Sequence, residues 1–178
     1  MVVDTAWEYR IAAMSEKTRN STQFAALPCR VGANGQHQIM LLTSRETRRW
    51  VIPKGWPMHG LKPRKVPERE DYEEAGLVGR IIGRHPVGVF HYEKQLPEGQ
   101  LLCEVRVFLF WVDGQLVDWP EKGQRVSRGF DQAEAAVQVD EGGLAEIIRS
   151  AFTPAHPREP IHKARAWSSK LPLPLALG

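Results

Sequence analysis

Cysteine is nearly absent: 178 residues contain two, Cys29 and Cys103. Both fall in apolar, strand-like segments, so the expectation is two buried, reduced thiols rather than a disulfide or a thiolate metal centre. No apolar run approaches the ~20 residues needed to cross a bilayer. The opening MVVDTAWEYRIAAMSEK lacks the basic start and long apolar stretch of a secretory signal. The chain therefore reads as cytoplasmic and without a membrane partner. His37, His59, His85, His156 and His162 show no metal-ligand spacing, and no segment repeats. Neither sign of charge dominates, with 24 Lys and Arg against 21 Asp and Glu. The small basic excess sits in the tail, where Arg158, Lys163, Arg165 and Lys170 face Glu159 alone. Four cations with one aromatic residue, Trp167, are too thin a basis for nucleic-acid binding.

What remains is one ordinary domain, 42% hydrophobic and 25% charged. Residues 1–22 form a weakly patterned lead-in, with a short helix expected around 7–14. Residues 23–152 form the folded domain. Residues 153–178 form a Pro-rich, basic tail (TPAHPREP, KLPLPLALG) that reads as irregular, its apolar end free to pack on the body or on a second copy in a homodimer. Within the domain, FAALPCRV and HQIMLLTSR read as strands joined by a turn at Gly32-Ala33-Asn34-Gly35. LVGRIIGRHPVGVFHYEK is extended, and CEVRVFLFWV is the most strand-like run. Asp113-Gly114 reads as a hairpin turn, with QLVDW as its returning strand. Residues 120–129 read as a polar loop, and AEAAVQV and GLAEIIRSAF as helices. Strands with interspersed helices imply a mixed sheet between helical layers, an α+β fold.

The chemistry concentrates between Trp50 and Gly83. On a helix, Glu70, Glu73 and Glu74 share a face. Each like-charged pair costs roughly 0.2–0.5 kcal/mol, and a hard divalent cation turns that repulsion into coordination. Gly76 supplies a left-handed stop. Upstream, Pro53-Lys54-Gly55-Trp56-Pro57 reads as a tight loop rather than regular structure. Pro67 is cheap only at a helix start, so the helix is expected to begin near it. Asp71 falls on the core side of that helix, where it must lie at a rim, find a partner or titrate upward.

Gly55, Arg69, Glu70, Glu73, Glu74, Gly76 and Leu77 resemble the Nudix box, G-x5-E-x7-R-E-U-x-E-E-x-G-U, where U is bulky and apolar. Three positions depart from it: Leu61 stands at the first glutamate, Asp71 at the apolar position, and Pro67 in the helix. The resemblance implies a Nudix-type α/β/α sandwich and a Mg²⁺- or Mn²⁺-dependent pyrophosphohydrolase. It implies that Glu70 and Glu74 hold metal with a backbone carbonyl near Gly55, that Glu73 is the general base and that Arg69 orients the carboxylates. A loop glutamate such as Glu121 is the other candidate base, although Glu121 reads more simply as a surface residue.

Beyond the box, LLTSRETRRWVIPKG, VGVFHYEK and GFDQAEAAV are similar to diphosphoinositol polyphosphate phosphohydrolases and their bacterial relatives. That likeness implies phosphate contacts by Arg30, Thr43, Ser44 and Arg45. Gly129 stands where the family usually has an aromatic residue. Independently, Arg48, Arg49, Lys54, Lys62, Arg64 and Lys65 form a basic stretch beside the acidic helix, which suits a polyphosphate. Lys94 reaches the same region from its hairpin. The expected partner is thus a phosphorylated small molecule, a nucleoside or inositol polyphosphate. The competing expectation, favoured by the three departures and Gly129, is an inactive Nudix-fold module that binds such a ligand as sensor or scaffold.

Overall fold

A computed structural model describes residues 21–97 and 99–152. The helix expected around 7–14 and the tail from 153 lie outside these residues. The elements are β1 (Thr22–Val31), β2 (His37–Thr43), β3 (Trp50–Val51), β4 (Lys54–Gly55), α1 (Lys65–Ala75), β5 (Leu77–Ile82), β6 (Gly88–Leu96), β7 (Gly99–Gln115), β8 (Ser127–Asp131), α2 (Gln132–Gln138) and α3 (Gly142–Ser150).

The strands form one eight-stranded sheet in the order β3-β2-β1-β7-β5, with β4 on β1, β6 on β7 and β8 on β2. β1 runs parallel to β7 and the other pairs are antiparallel, so the sheet is mixed. β7 is the spine: at 17 residues it pairs with β6 along its first half, β5 along its second and β1 along its other edge.

Period-two alternation sends side chains to opposite faces, and here both faces are buried. Ala25, Leu27 and Cys29 of β1 join Val105 and Val107 of β7 beneath α2 and α3. Phe24 and Ala26 join Phe108, Phe110 and Val112 beneath α1, with Val66, Ala75 and Leu77. Helices thus cover both faces, giving the expected α/β/α sandwich. Leu61 packs with Met58 against the α1 cluster, which gives the apolar residue at the departed box position a structural use. Both cysteines are free and buried. Burial, with the Asp71 carboxyl acting second, pushes the Cys29 thiol up to about 12. Among the described residues no helix is long and apolar enough to cross a membrane.

Three local expectations are corrected. Asp113-Gly114 makes no hairpin: β7 continues through it, because β5 already supplies the antiparallel partner, pairing Val78 with Gly114 and Leu77 with Gln115. The supposed loop 120–129 ends in a strand, since Ser127 onward pairs with β2 as β8. Lys54 and Gly55 are regular after all, pairing with Ala25 and Phe24 of β1 between two prolines that interrupt nothing.

Helix α1 starts at Lys65, two residues before Pro67. Pro67 is still in the first turn, where its missing N–H has no intrahelical partner to lose. Gly76 closes the helix in the left-handed conformation, φ 63°, donating to the carbonyls of Asp71 and Tyr72. Tyr72, the next residue along α1, is exposed. Of the three fates open to Asp71, the structure excludes rim and partner: it is 0% exposed and neither carboxylate oxygen has a hydrogen-bond partner. Burial first, then the charges of Glu74, Glu68 and Glu70, holds its carboxyl well above the usual range.

A carboxyl raised above its unfolded value binds a proton in the native chain that the unfolded chain has released. Asp71 therefore costs stability progressively as pH rises above about 4. Asp71→Asn should remove that slope relative to wild type. Asp71→Leu should raise unfolding stability at pH 7 by about 1–3 kcal/mol. Urea melts across pH 4–8 check both, and a constant offset between wild type and Asp71→Asn would contradict the assignment.

Candidate active site

One open cleft, with a volume of about 610 Å³, lies where β4, α1, the β2–β3 turn, the end of β6 and the loop after β7 meet. Its acidic wall is built by α1 and that loop. Glu70 lies directly on the backbone of Gly55: a Cβ placed there would stand 2.0 Å from the Glu70 carboxylate. Glycine at position 55 thus gives the Glu70 carboxylate room to lie against the backbone, and does not serve an unusual backbone angle.

Glu74, one turn on, receives Arg125 Nη2 at 2.5 Å. The same guanidinium donates from Nε to Glu121 at 2.9 Å and from Nη1 to the Thr43 carbonyl at 3.3 Å. Arg45 approaches the other oxygen of Glu121 at 3.5 Å. The loop reaches this place because it satisfies the exposed end of α1, whose last carbonyls lack helical partners. Glu121 N–H donates to Glu73, Gln115 Nε2 to Ala75, and Leu116 N–H to Gly76.

Burial, with the charges of Glu73 and Glu121 acting next, raises the Glu70 carboxyl above its ordinary value. Glu74 rises to about 7, chiefly through burial, with Arg125 opposing.

The cleft is also lined by basic and aromatic side chains, with Glu46 and Glu93 among them. Lys54 and Trp56 alternate along β4 and its exit, and Tyr92 and Lys94 alternate along β6, so all four line the cleft. The Lys54 ammonium stands 5.4 Å from the Tyr92 ring centroid, and that of Lys94 5.3 Å from the Trp56 ring. Tyr92 donates its hydroxyl to buried Gln23 at 2.7 Å. Lys54 is pulled below its ordinary value by burial, with Glu74 and Glu141 opposing.

The residues singled out from sequence divide clearly. Glu70, Glu74, Gly55, Ser44, Arg45, Lys54 and Lys94 line the cleft. Arg69 and Glu73 do not; they pair with each other at 2.7 Å. The expected convergence of three helix carboxylates is therefore incomplete, and among the described residues no group of three or more His, Cys, Asp or Glu side chains is gathered to hold a metal.

Arg30 is also elsewhere. It sits at the far end of β1, six residues from Phe24 beside Gly55, a span of about 20 Å along a strand. Its guanidinium donates to Gln38 and fills the space over Gly129 that a larger residue would occupy. Thr43 is buried and structural: its hydroxyl accepts from Val126 N–H at 3.0 Å and its own N–H donates to the Val126 carbonyl. Ser44 Oγ is engaged within its turn by Thr47 at 2.6 Å and by Arg49 N–H. His91 is exposed and faces Glu104, away from the cleft.

Sequence reasoning undervalued Glu121 and did not single out Gln23 or Arg125. Gln23 is near in space through β1, but nothing in its local sequence marks it. Arg125 acts across 51 residues to Glu74 and 82 to Thr43, separations that no local spacing rule covers.

No family model matches the chain. It is 24% identical over 123 residues to Nudix hydrolase 16, mitochondrial, of Arabidopsis thaliana, an alignment covering 67% of each chain. The structure is similar to an Ap4A hydrolase from C. elegans, with a TM-score of 0.55 and 18% identity, covering 74% of this chain and 96% of that one. It is also similar to a NUDIX-family hydrolase from Clostridium perfringens, with a TM-score of 0.54 and 13% identity, covering 74% of this chain and 98% of that one. The mixed sheet, its two helical layers and these likenesses agree: the chain is built on the Nudix-hydrolase fold.

Proposed function

We propose that this protein is a divalent-cation-dependent hydrolase of phosphoanhydride bonds, acting on a nucleoside polyphosphate. The observation that carries the reading is the meeting in one cleft of the carboxylates of Glu70, Glu74 and Glu121 with the cations of Lys54 and Lys94 and the Trp56 ring. Polyphosphates need both: a cation on some oxygens and fixed positive side chains on others.

The donor set fits a hard cation. It offers only oxygens, it leaves Gly55 bare beside Glu70, and burial raises the Glu70 and Glu74 carboxyls although Arg125 pairs with Glu74. Glu70 and Glu74 would hold Mg²⁺ or Mn²⁺ with the Gly55 main chain. When bound there, the cation would supply charge neutralisation on the phosphates and make water more acidic.

The side chains do the rest. Lys54, Lys94 and Arg45 bind the phosphate oxygens. Glu121 accepts the proton of the attacking water, which forms the new P–O bond as the bridging P–O bond breaks. Glu121 is favoured over Glu73 because it lines the cleft, whereas Glu73 is tied to Arg69. The Trp56 ring offers a flat surface to a base, which inositol lacks, and the C. elegans neighbour is an Ap4A hydrolase. Both favour a nucleotide over a diphosphoinositol.

Steady-state kinetics with Mn²⁺ and a dinucleoside polyphosphate test these roles. Glu121→Gln should lower kcat by about 10²–10⁴-fold, the usual worth of acid–base catalysis, while Glu73→Gln should cost less than tenfold. The reverse order would return the base to the helix. Glu70→Gln should lose rate and metal-induced thermal stabilisation together. Trp56→Leu should raise KM for the dinucleotide and leave it unchanged for inorganic tripolyphosphate; equal changes for both would remove the base from that ring. A wild type that binds the dinucleotide but leaves it intact under every metal tried would favour the sensor or scaffold reading.

A further inference from the structure

Arg125 is the most enclosed guanidinium in the cleft, with 9% of its side chain exposed against 59% for Arg45. It donates to three acceptors on three separate segments: Glu74 on α1, Glu121 on the loop after β7, and the Thr43 carbonyl at the end of β2. The distances are 2.5, 2.9 and 3.3 Å. A guanidinium holds its donors in a rigid fork, so satisfying three acceptors fixes their mutual placement. An ammonium would supply the charge without that geometry.

Other contacts hold the loop as well: Arg48 Nη1 donates to the Gln124 carbonyl at 2.8 Å, and Arg45 stands 3.5 Å from the second oxygen of Glu121. Glu121 N–H holds to Glu73 and Val126 pairs with Thr43, but neither contact sets where the Glu121 carboxylate points. Of the two arginines on that carboxylate, Arg125 is the nearer at 2.9 Å and the more enclosed, and it places a positive charge between two partly buried carboxylates that would otherwise repel.

We propose that Arg125 is a positioning residue that clamps loop-borne Glu121 to helix-borne Glu74, so that the acidic wall of the cleft is assembled before any cation binds. Arg125 lies outside the motif that marks the site and is not assigned a contact with substrate. Its role in turnover rests on the hydrolytic reading above, but the clamp itself does not, and the two can fail separately.

A double-mutant cycle on the full chain, stripped of metal with EDTA, tests the clamp directly. Arg125→Ala should lower Tm by several degrees, because it leaves two uncompensated carboxylates together. Adding Glu121→Gln should recover part of that loss, so the two changes are non-additive. Additive Tm losses would overturn the clamp.

With Mn²⁺ and a dinucleoside polyphosphate, Arg125→Ala should cut kcat at least tenfold with KM within twofold. On the Glu121→Gln background the same change should alter kcat less than threefold, and Arg125→Lys should fall between wild type and Arg125→Ala. A raised KM at unchanged kcat would make Arg125 a phosphate contact and overturn the positioning role. Should wild type turn over no substrate, the hydrolytic reading fails and the metal-free cycle still decides the clamp. If Arg125→Ala does not fold, Arg125→Lys on both backgrounds completes the same cycle.

Discussion

The site depends on one close approach: the Glu70 carboxylate lying against the bare backbone of Gly55. A side chain at Gly55 would displace it, so glycine lets the carboxylate rest against β4. That contact joins two pieces of chain with different anchors. β4 is held to the start of β1 by paired strands, and α1 is held to the opposite face of the sheet by Val66 and Ala75. The cleft is the seam between them. The loop after β7 closes it by donating to the unsatisfied carbonyls at the end of α1.

Charge inside that seam is arranged at a cost. Glu70 and Glu74 are both raised by burial, and Arg125 and Lys54 offset only part of it. Asp71, on the reverse side of the same helix, adds a carboxyl with no partner at all. A structural cluster selected for stability alone would place leucine there and fewer glutamates opposite. Perturbed groups gathered in a cleft are a physical mark of a functional site, and the cations and aromatic rings lining the same cleft suit it to a polyphosphate.

Much of this was legible in the sequence because it is local. The period of the strands and the glycine stop at Gly76 depend on neighbours within a turn or a strand, and the pattern from Gly55 to Glu74 was legible through its likeness to a known motif. The misreadings share the opposite cause. Asp113-Gly114 carries a strong turn signal, but β5 already fills the place a returning strand would take. SRGFD is too polar to announce itself, and becomes β8 only because β2 has a free edge. Arg30 belongs to the right strand but stands at its wrong end. Glu73 shares a helical face with Glu70 and Glu74, yet Arg69, four residues back, draws it outward. Arg125 becomes visible only once the chain has folded three segments together.

The central claim is that this cleft directs water onto a phosphoanhydride. Phosphorus NMR of a dinucleoside polyphosphate incubated with the wild-type protein and Mn²⁺ in ¹⁸O-labelled water tests it most directly. The account predicts loss of the bridging-phosphate resonances, incorporation of label into one product phosphate, and arrest of both on adding EDTA. Substrate that stays intact while bound to the metal-loaded protein, or cleavage that proceeds unchanged in EDTA, would contradict it.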